Sequence, residues 1–269
     1  MLSKLLKYEF KATARVFIYM YISLLLFSLI NRFVNPFDIL NKTTSFNLAA
    51  LLSVVTITTY FIVLVGVMIV TLVMLIQRFY KNLLGNEGYL MFTLPVKPWM
   101  HIVSKLVTAV VWTILSMLTA ICSILIFSGA TTEVIAALSD ITDGIKGIFG
   151  PAGLIILPVS GIITMSEGIL MVYAAIALGH LFNKHRILAS FGMYFLLSVI
   201  SDIFMMFLGF VYFTTLGSDF FVLMQREEFY LSAGQANMLL LSLAMVSVTF
   251  GTAYFLLTNY ILRKRLNLE

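Results

Sequence analysis

The chain is poor in charge, nearly free of cysteine, and carries no nucleotide-binding signature. Charged residues are 11% of its 269 positions, against about 25% in an ordinary soluble domain. So little charge cannot cover a water-facing surface, which argues against a soluble enzyme. The single cysteine, Cys122, lies inside an apolar run, so there is no disulfide framework and no cysteine metal centre. No Gly-x-x-x-x-Gly-Lys-Ser/Thr sequence occurs, so the chain does not hold ATP by a phosphate loop. The three histidines, His101, His180 and His185, stand near the ends of apolar runs and form no His-Glu-x-x-His pattern. An intramembrane hydrolase would need histidines at the depth of its acids, and none is there. The enzyme reading is therefore set aside.

What the chain has is oil. Hydrophobic residues are 61% and the mean hydropathy is +1.04. They gather in six stretches near residues 16–34, 48–76, 103–128, 153–182, 187–216 and 236–262. A hydrocarbon layer of about 30 Å takes about 20 helical residues to cross, and each stretch meets or nearly meets that length. The stretches are continuously apolar instead of alternating, which favours helices over barrel strands of about 10 residues. Helices also satisfy their own backbone hydrogen bonds within one segment, as lipid requires. The first stretch is followed by Asn31, Arg32 and Phe33 instead of a small-residue cleavage site, and reads as an uncleaved span. No loop is long enough for a separate domain. The expectation is an all-α integral membrane protein, a single transmembrane domain over 1–269.

Charge gives the orientation. Six spans put both termini on one side. Of the 17 cations, only Arg32, Lys42, Lys146 and Arg226 fall on the other side. Cytoplasmic loops carry the excess of Lys and Arg, so both termini are expected in the cytoplasm. The net charge of +5 is explained by this asymmetry and needs no nucleic-acid partner.

Two segments interrupt the oil in an informative way. Residues 2–15 space Lys4, Lys7, Lys11 and Arg15 by three and four, so a helix there carries its cations on one face. Such a helix suits the cytoplasmic head-group layer, with membrane lipids as its partner, though a plain positive flank would show the same spacing. Residues 77–102, between the second and third spans, are no ordinary hydrophilic loop. They hold Phe79, Tyr80, Leu83, Leu84, Tyr89, Leu90, Met91, Phe92 and Leu94, punctuated by Gly85 and Gly88 and stopped by Pro95 and Pro98. An apolar surface of this kind either folds back on the membrane or docks into another protein.

Two acids lie deep in apolar runs: Glu167 in TMSEGIL of the fourth span and Asp202 in VISDIFM of the fifth. Counted from opposite faces, both come near the midplane, where an ionised carboxylate costs about 3 kcal/mol or more. They either face a wet path for a basic substrate or a proton, or stay neutral and hydrogen-bonded between helices. Hydroxyls share faces of neighbouring spans: Ser53, Thr56 and Tyr60 on the second, and Trp112, Ser116, Thr119 and Ser123 on the third. Small hydroxyl residues pack membrane helices and also line paths; Ser116 and Thr119 are carried as candidate path residues with the two acids. Pro158 and Gly161, with Gly168 beyond, favour a bend in the fourth span.

The start MLSKLLKYEFKATAR, the six spans, and the segment FYKNLLGNEGYLMFTLPVKPW together resemble an ATP-binding-cassette type-2 permease of Gram-positive bacteria, the membrane subunit of an exporter. The resemblance implies a six-helix exporter half of the type V kind. Lys4–Arg15 would form an amphipathic elbow helix, and 83–95 a cytoplasmic coupling helix docked on a separate ATPase subunit. Leu83, Leu84, Glu87, Gly88, Tyr89, Leu90, Phe92 and Pro95 would make that contact. It further implies two ATPase copies holding ATP and Mg, no cofactor on this chain, and a second permease half, identical or paralogous. The location would be the bacterial cytoplasmic membrane, and the substrate an amphiphile such as a peptide, drug or lipid. The residues themselves leave a second reading open, a membrane solute-binding or scaffold subunit that pumps nothing.

Overall fold

The computed structural model describes residues 1–36, 39, 48–85, 96–129, 131–182, 184–215 and 232–264. All regular structure among them is helical. The helices are α1 (Leu2–Val34), α2 (Leu48–Phe79), α3 (Pro98–Ser128), α4 (Thr131–Phe149), α5 (Gly153–Gly179), α6 (Arg186–Thr215) and α7 (Ala233–Lys264), with a π-helical turn, Tyr80–Leu84, at the end of α2. Six of these, all but α4, are long and apolar enough to cross a membrane. We read the chain as a multi-pass membrane protein on that ground.

The residues at the helix ends explain where the helices stop. No glycine or proline occurs between Leu2 and Val34, so nothing interrupts α1 for 33 residues. It ends at Asn35, which adopts the left-handed conformation (φ 46°) and returns its N–H to the Asn31 carbonyl, with Pro36 next. Pro98 opens α3 at a position where a missing N–H costs nothing. Gly129 (φ 65°) closes it, its N–H bonded to the Leu125 carbonyl. Pro158 sits inside α5, and the helix continues through it.

One expectation changes in detail. The separation of an elbow helix from the first span is absent: α1 runs unbroken through Arg15, because the sequence there contains no residue that would break it. At 1.5 Å per residue α1 is about 50 Å long, longer than the hydrocarbon layer, so its charged end need not enter lipid. Helix α4 runs from Thr131 to Phe149, where Gly150 (φ 68°) and Pro151 stop it.

The chain divides into two compact units: Met1–Lys81 with Pro95–Ser139, and Asn82–Leu94 with Asp140–Glu269. In the first, α1 packs against α3 and α2. Leu24, Tyr60 and Val67 form its buried centre, joined by Met20, Phe27, Val63 and Phe127. Phe17 stacks on Trp112 with ring centroids 4.5 Å apart, and Tyr60 stacks on Phe127 at 4.7 Å. In the second, α7 and α6 both pack on α5. The face that α7 buries is a stripe of Ala244, Ser247, Gly251, Tyr254 and Thr258. Its spacing of three and four, with mostly small residues, lets membrane helices approach closely.

Candidate functional site: an acidic cleft in the second unit

The close approach of α5 and α7 is set at Gly251. A methyl group there would lie 3.7 Å from the Glu167 backbone, in ordinary contact, whereas a larger side chain would wedge the helices apart. Glu167 is thereby held at the α5–α7 contact. Ser198, Ser201, Asp202 and Met205 follow the i, i+3, i+4, i+7 pattern, so α6 presents them together. These residues meet in one cleft of about 160 Å³, lined also by Gly168, Met171, Ser247 and Phe250. The two acids that the sequence placed at similar depth thus share one cavity.

Hydroxyl groups organise the cleft. Ser201 and Tyr254 share a hydrogen bond between α6 and α7. Ser247 lies 3.5 Å from the Thr164 hydroxyl and also interacts with the Glu167 carboxyl. Tyr254 is within electrostatic reach of both Glu167 and Asp202. Phe250 is in edge contact with Phe204, with centroids 5.3 Å apart. The wall is therefore mixed: two carboxyls and three serines on one hand, two methionines and an aromatic ring on the other. Chemically it suits a small polar or cationic group attached to an apolar body. Among the described residues there is no group of three or more His, Cys, Asp or Glu placed to hold a metal ion.

Ser116 and Thr119 do not line this cleft. Ser116 belongs to the first unit, 1% exposed, where it hydrogen-bonds the Tyr21 hydroxyl at 2.8 Å and the Thr71 hydroxyl at 2.9 Å. Thr119 donates to the Leu115 carbonyl of its own helix. Ser116 is part of a polar seam along α3 that joins the helices of the first unit. In it Lys105 meets Glu9 at 2.6 Å, Trp112 Nε1 donates to Thr13 Oγ1 at 2.8 Å, and Tyr60 bonds Ser123 at 3.1 Å. Lys4, Lys7, Lys11 and Arg15 are all exposed, on one side of α1, while Glu9 and Thr13 are buried on the other.

Of the expected coupling residues, Leu83 and Leu84 are buried in the π-helical turn. Glu87, Gly88, Tyr89, Leu90, Phe92 and Pro95 lie outside the described residues. Sequence reasoning gave His180 no role, yet it caps α5 and its Nε2 lies 3.0 Å from the Leu84 carbonyl. A carbonyl only accepts, so this nitrogen carries the proton. His180 stands just beyond the span, and burial, reinforced by the nearby Arg186 cation, holds its pKa below the ordinary imidazole value; the Leu84 hydrogen bond opposes this. The buried Glu9 was missed as well. The one signal for it was an acid embedded in a cationic segment.

No family model matches the chain, and neither a curated protein nor a solved structure does.

Proposed function

We propose that the chain is the membrane subunit of an ATP-driven exporter, of the ATP-binding-cassette type-2 permease kind. Two such permease halves, identical or paralogous, would work with two copies of an ATPase subunit that holds ATP and Mg. The permease lies in a bacterial cytoplasmic membrane with both termini inside, as the cation distribution favours. The observation that carries the reading is the Glu167–Asp202 cleft among apolar helices. Ionised carboxylates at such a depth are costly and mark substrate or ion pathways. The oily segment beginning at Leu83 supplies the second support, because it resembles an ATPase-docking helix. In this reading 83–95 receives the nucleotide-driven stroke, as a two-state element biased by its partner, and the spans expel an amphiphile whose polar end enters the cleft.

Two experiments test it. The chain is co-purified with a phosphate-loop ATPase encoded beside it, and again with Glu87→Ala and Tyr89→Ala together. Loss of association in the double variant is expected; undiminished association removes the docking assignment. Export is then measured with Glu167→Gln and Asp202→Asn combined. Impaired export with intact assembly is expected, and unchanged export removes the acids from the path. Ligand binding by the isolated chain, with no ATPase ever associating, would replace the exporter by a solute-binding subunit.

A further inference from the structure

The π-helical turn Tyr80–Leu84 ends α2 at Gly85, and the chain passes from the first unit to the second at Asn82 within it. A helix end leaves its last carbonyls without intrahelical partners. Leu83 is fully buried and Leu84 nearly so, which makes that lack expensive. His180, the residue that caps α5, answers the Leu84 carbonyl from 3.0 Å away. Immediately before it, Gly179 meets α6 so closely that an added methyl would lie 2.5 Å from the Ser190 nitrogen and 2.6 Å from its Cα. Only a hydrogen atom fits there. The two helices that leave this knot are α5 and α6, and they bear the two cleft acids. Glu167 stands 13 residues before His180, about 20 Å along a helix, and Asp202 stands 12 residues after Ser190, about 18 Å.

We propose that His180 is a positioning residue: it is the joint that carries a displacement of Leu83–Leu84 into the α5–α6 pair and so into the Glu167–Asp202 cleft. Helices are stiff over these lengths, and a shift at a packed end moves the far residues as a body. A carbonyl hydrogen-bonded inside a buried turn is a contact that can be kept or broken as a unit, and so acts as a latch. The exporter reading supplies the source of the displacement; the joint itself rests only on the contacts above.

The test uses the full chain in membranes, with Cys122→Ser to remove the native thiol and Ser198→Cys to place a reporter in the cleft. The rate of thiol modification from the aqueous phase is compared with and without His180→Ala or His180→Gln. The alanine variant is expected to change the rate by about threefold or more, within the usual range of coupling energies. Gln, whose amide still donates to a carbonyl, is expected to restore it. An unchanged rate in the alanine variant overturns the joint, and so does a failure of Gln to restore it in protein that still assembles. A second arm adds the associated ATPase with and without nucleotide. Nucleotide should change the reporter rate in the His180 chain and have no effect in the alanine variant that still binds ATPase. If nucleotide changes nothing in the His180 chain, the exporter reading fails, while the first arm still decides the joint.

Discussion

Lys105 Nζ lies 2.6 Å from Glu9 Oε1, and the two side chains are 2% and 9% exposed. They are 96 positions apart in sequence, so the pair fixes the register of α1 against α3. The Thr13–Trp112 hydrogen bond and the Phe17–Trp112 stack extend the same contact along the helices. A desolvated ion pair adds little net stability, yet losing one member leaves a buried charge without its counter-ion.

Glu9→Gln or Lys105→Met alone should therefore destabilise the chain by about 3 kcal/mol or more. Replacing both at once by apolar residues of similar size should recover most of that loss. Denaturation midpoints in mixed micelles for the two single variants and the double variant check this. Additive losses in the double variant would contradict the pairing.

Ser116 and Thr119 should separate cleanly. Ser116 links two other helices through Tyr21 and Thr71, so Ser116→Ala should cost about 0.6–1.7 kcal/mol, the range for interhelical hydrogen bonds in membranes. Thr119 bonds only within its own helix among the contacts described, and Thr119→Ala should change the same midpoint little. Equal losses would mean that the seam is not what orders the first unit.

Glycine positions give a sharper contrast. Gly179→Ala drives a methyl into the Ser190 backbone and should cost about 1–3 kcal/mol by overpacking. Gly209, in α6, has open space where its Cβ would stand, and Gly209→Ala should be neutral or stabilising by up to about 1 kcal/mol. Thermal inactivation of the two variants side by side is the measurement.

The α5 cap should weaken in acid. The folded state holds His180 below its ordinary pKa, so the unfolded chain takes up the proton first as pH falls. Its contribution is intact above about pH 6.5 and is lost as pH falls through the depressed folded value. Stability measured from pH 8 down to pH 5 should fall more steeply for the native chain than for His180→Gln. Parallel curves would show that His180 does not set this dependence.

Much of the architecture was legible in the residues. Six apolar runs of spanning length need helices because lipid offers no hydrogen bonds, and the six helices end within a few residues of the polar breaks. The cations Lys4, Lys7, Lys11 and Arg15 share an exposed side of α1 because helical spacing alone puts them there. Counting put Glu167 and Asp202 near the middle of their apolar runs, but their convergence on one cleft did not follow from it. That required α5 and α6 to turn about the Gly179–Ser190 contact and α7 to close against α5 at Gly251.

Local pattern thus determined which segments are helical, which are apolar enough to cross a bilayer, and which faces carry charge. These properties depend on neighbours three or four residues away. The pairing of Glu9 with Lys105, the use of Ser116 as a seam residue, and the capture of Leu84 by His180 were decided only by tertiary packing. Each joins groups 45 to 96 positions apart, and an apolar helix offers lipid and protein partners that look alike until another helix lies against it.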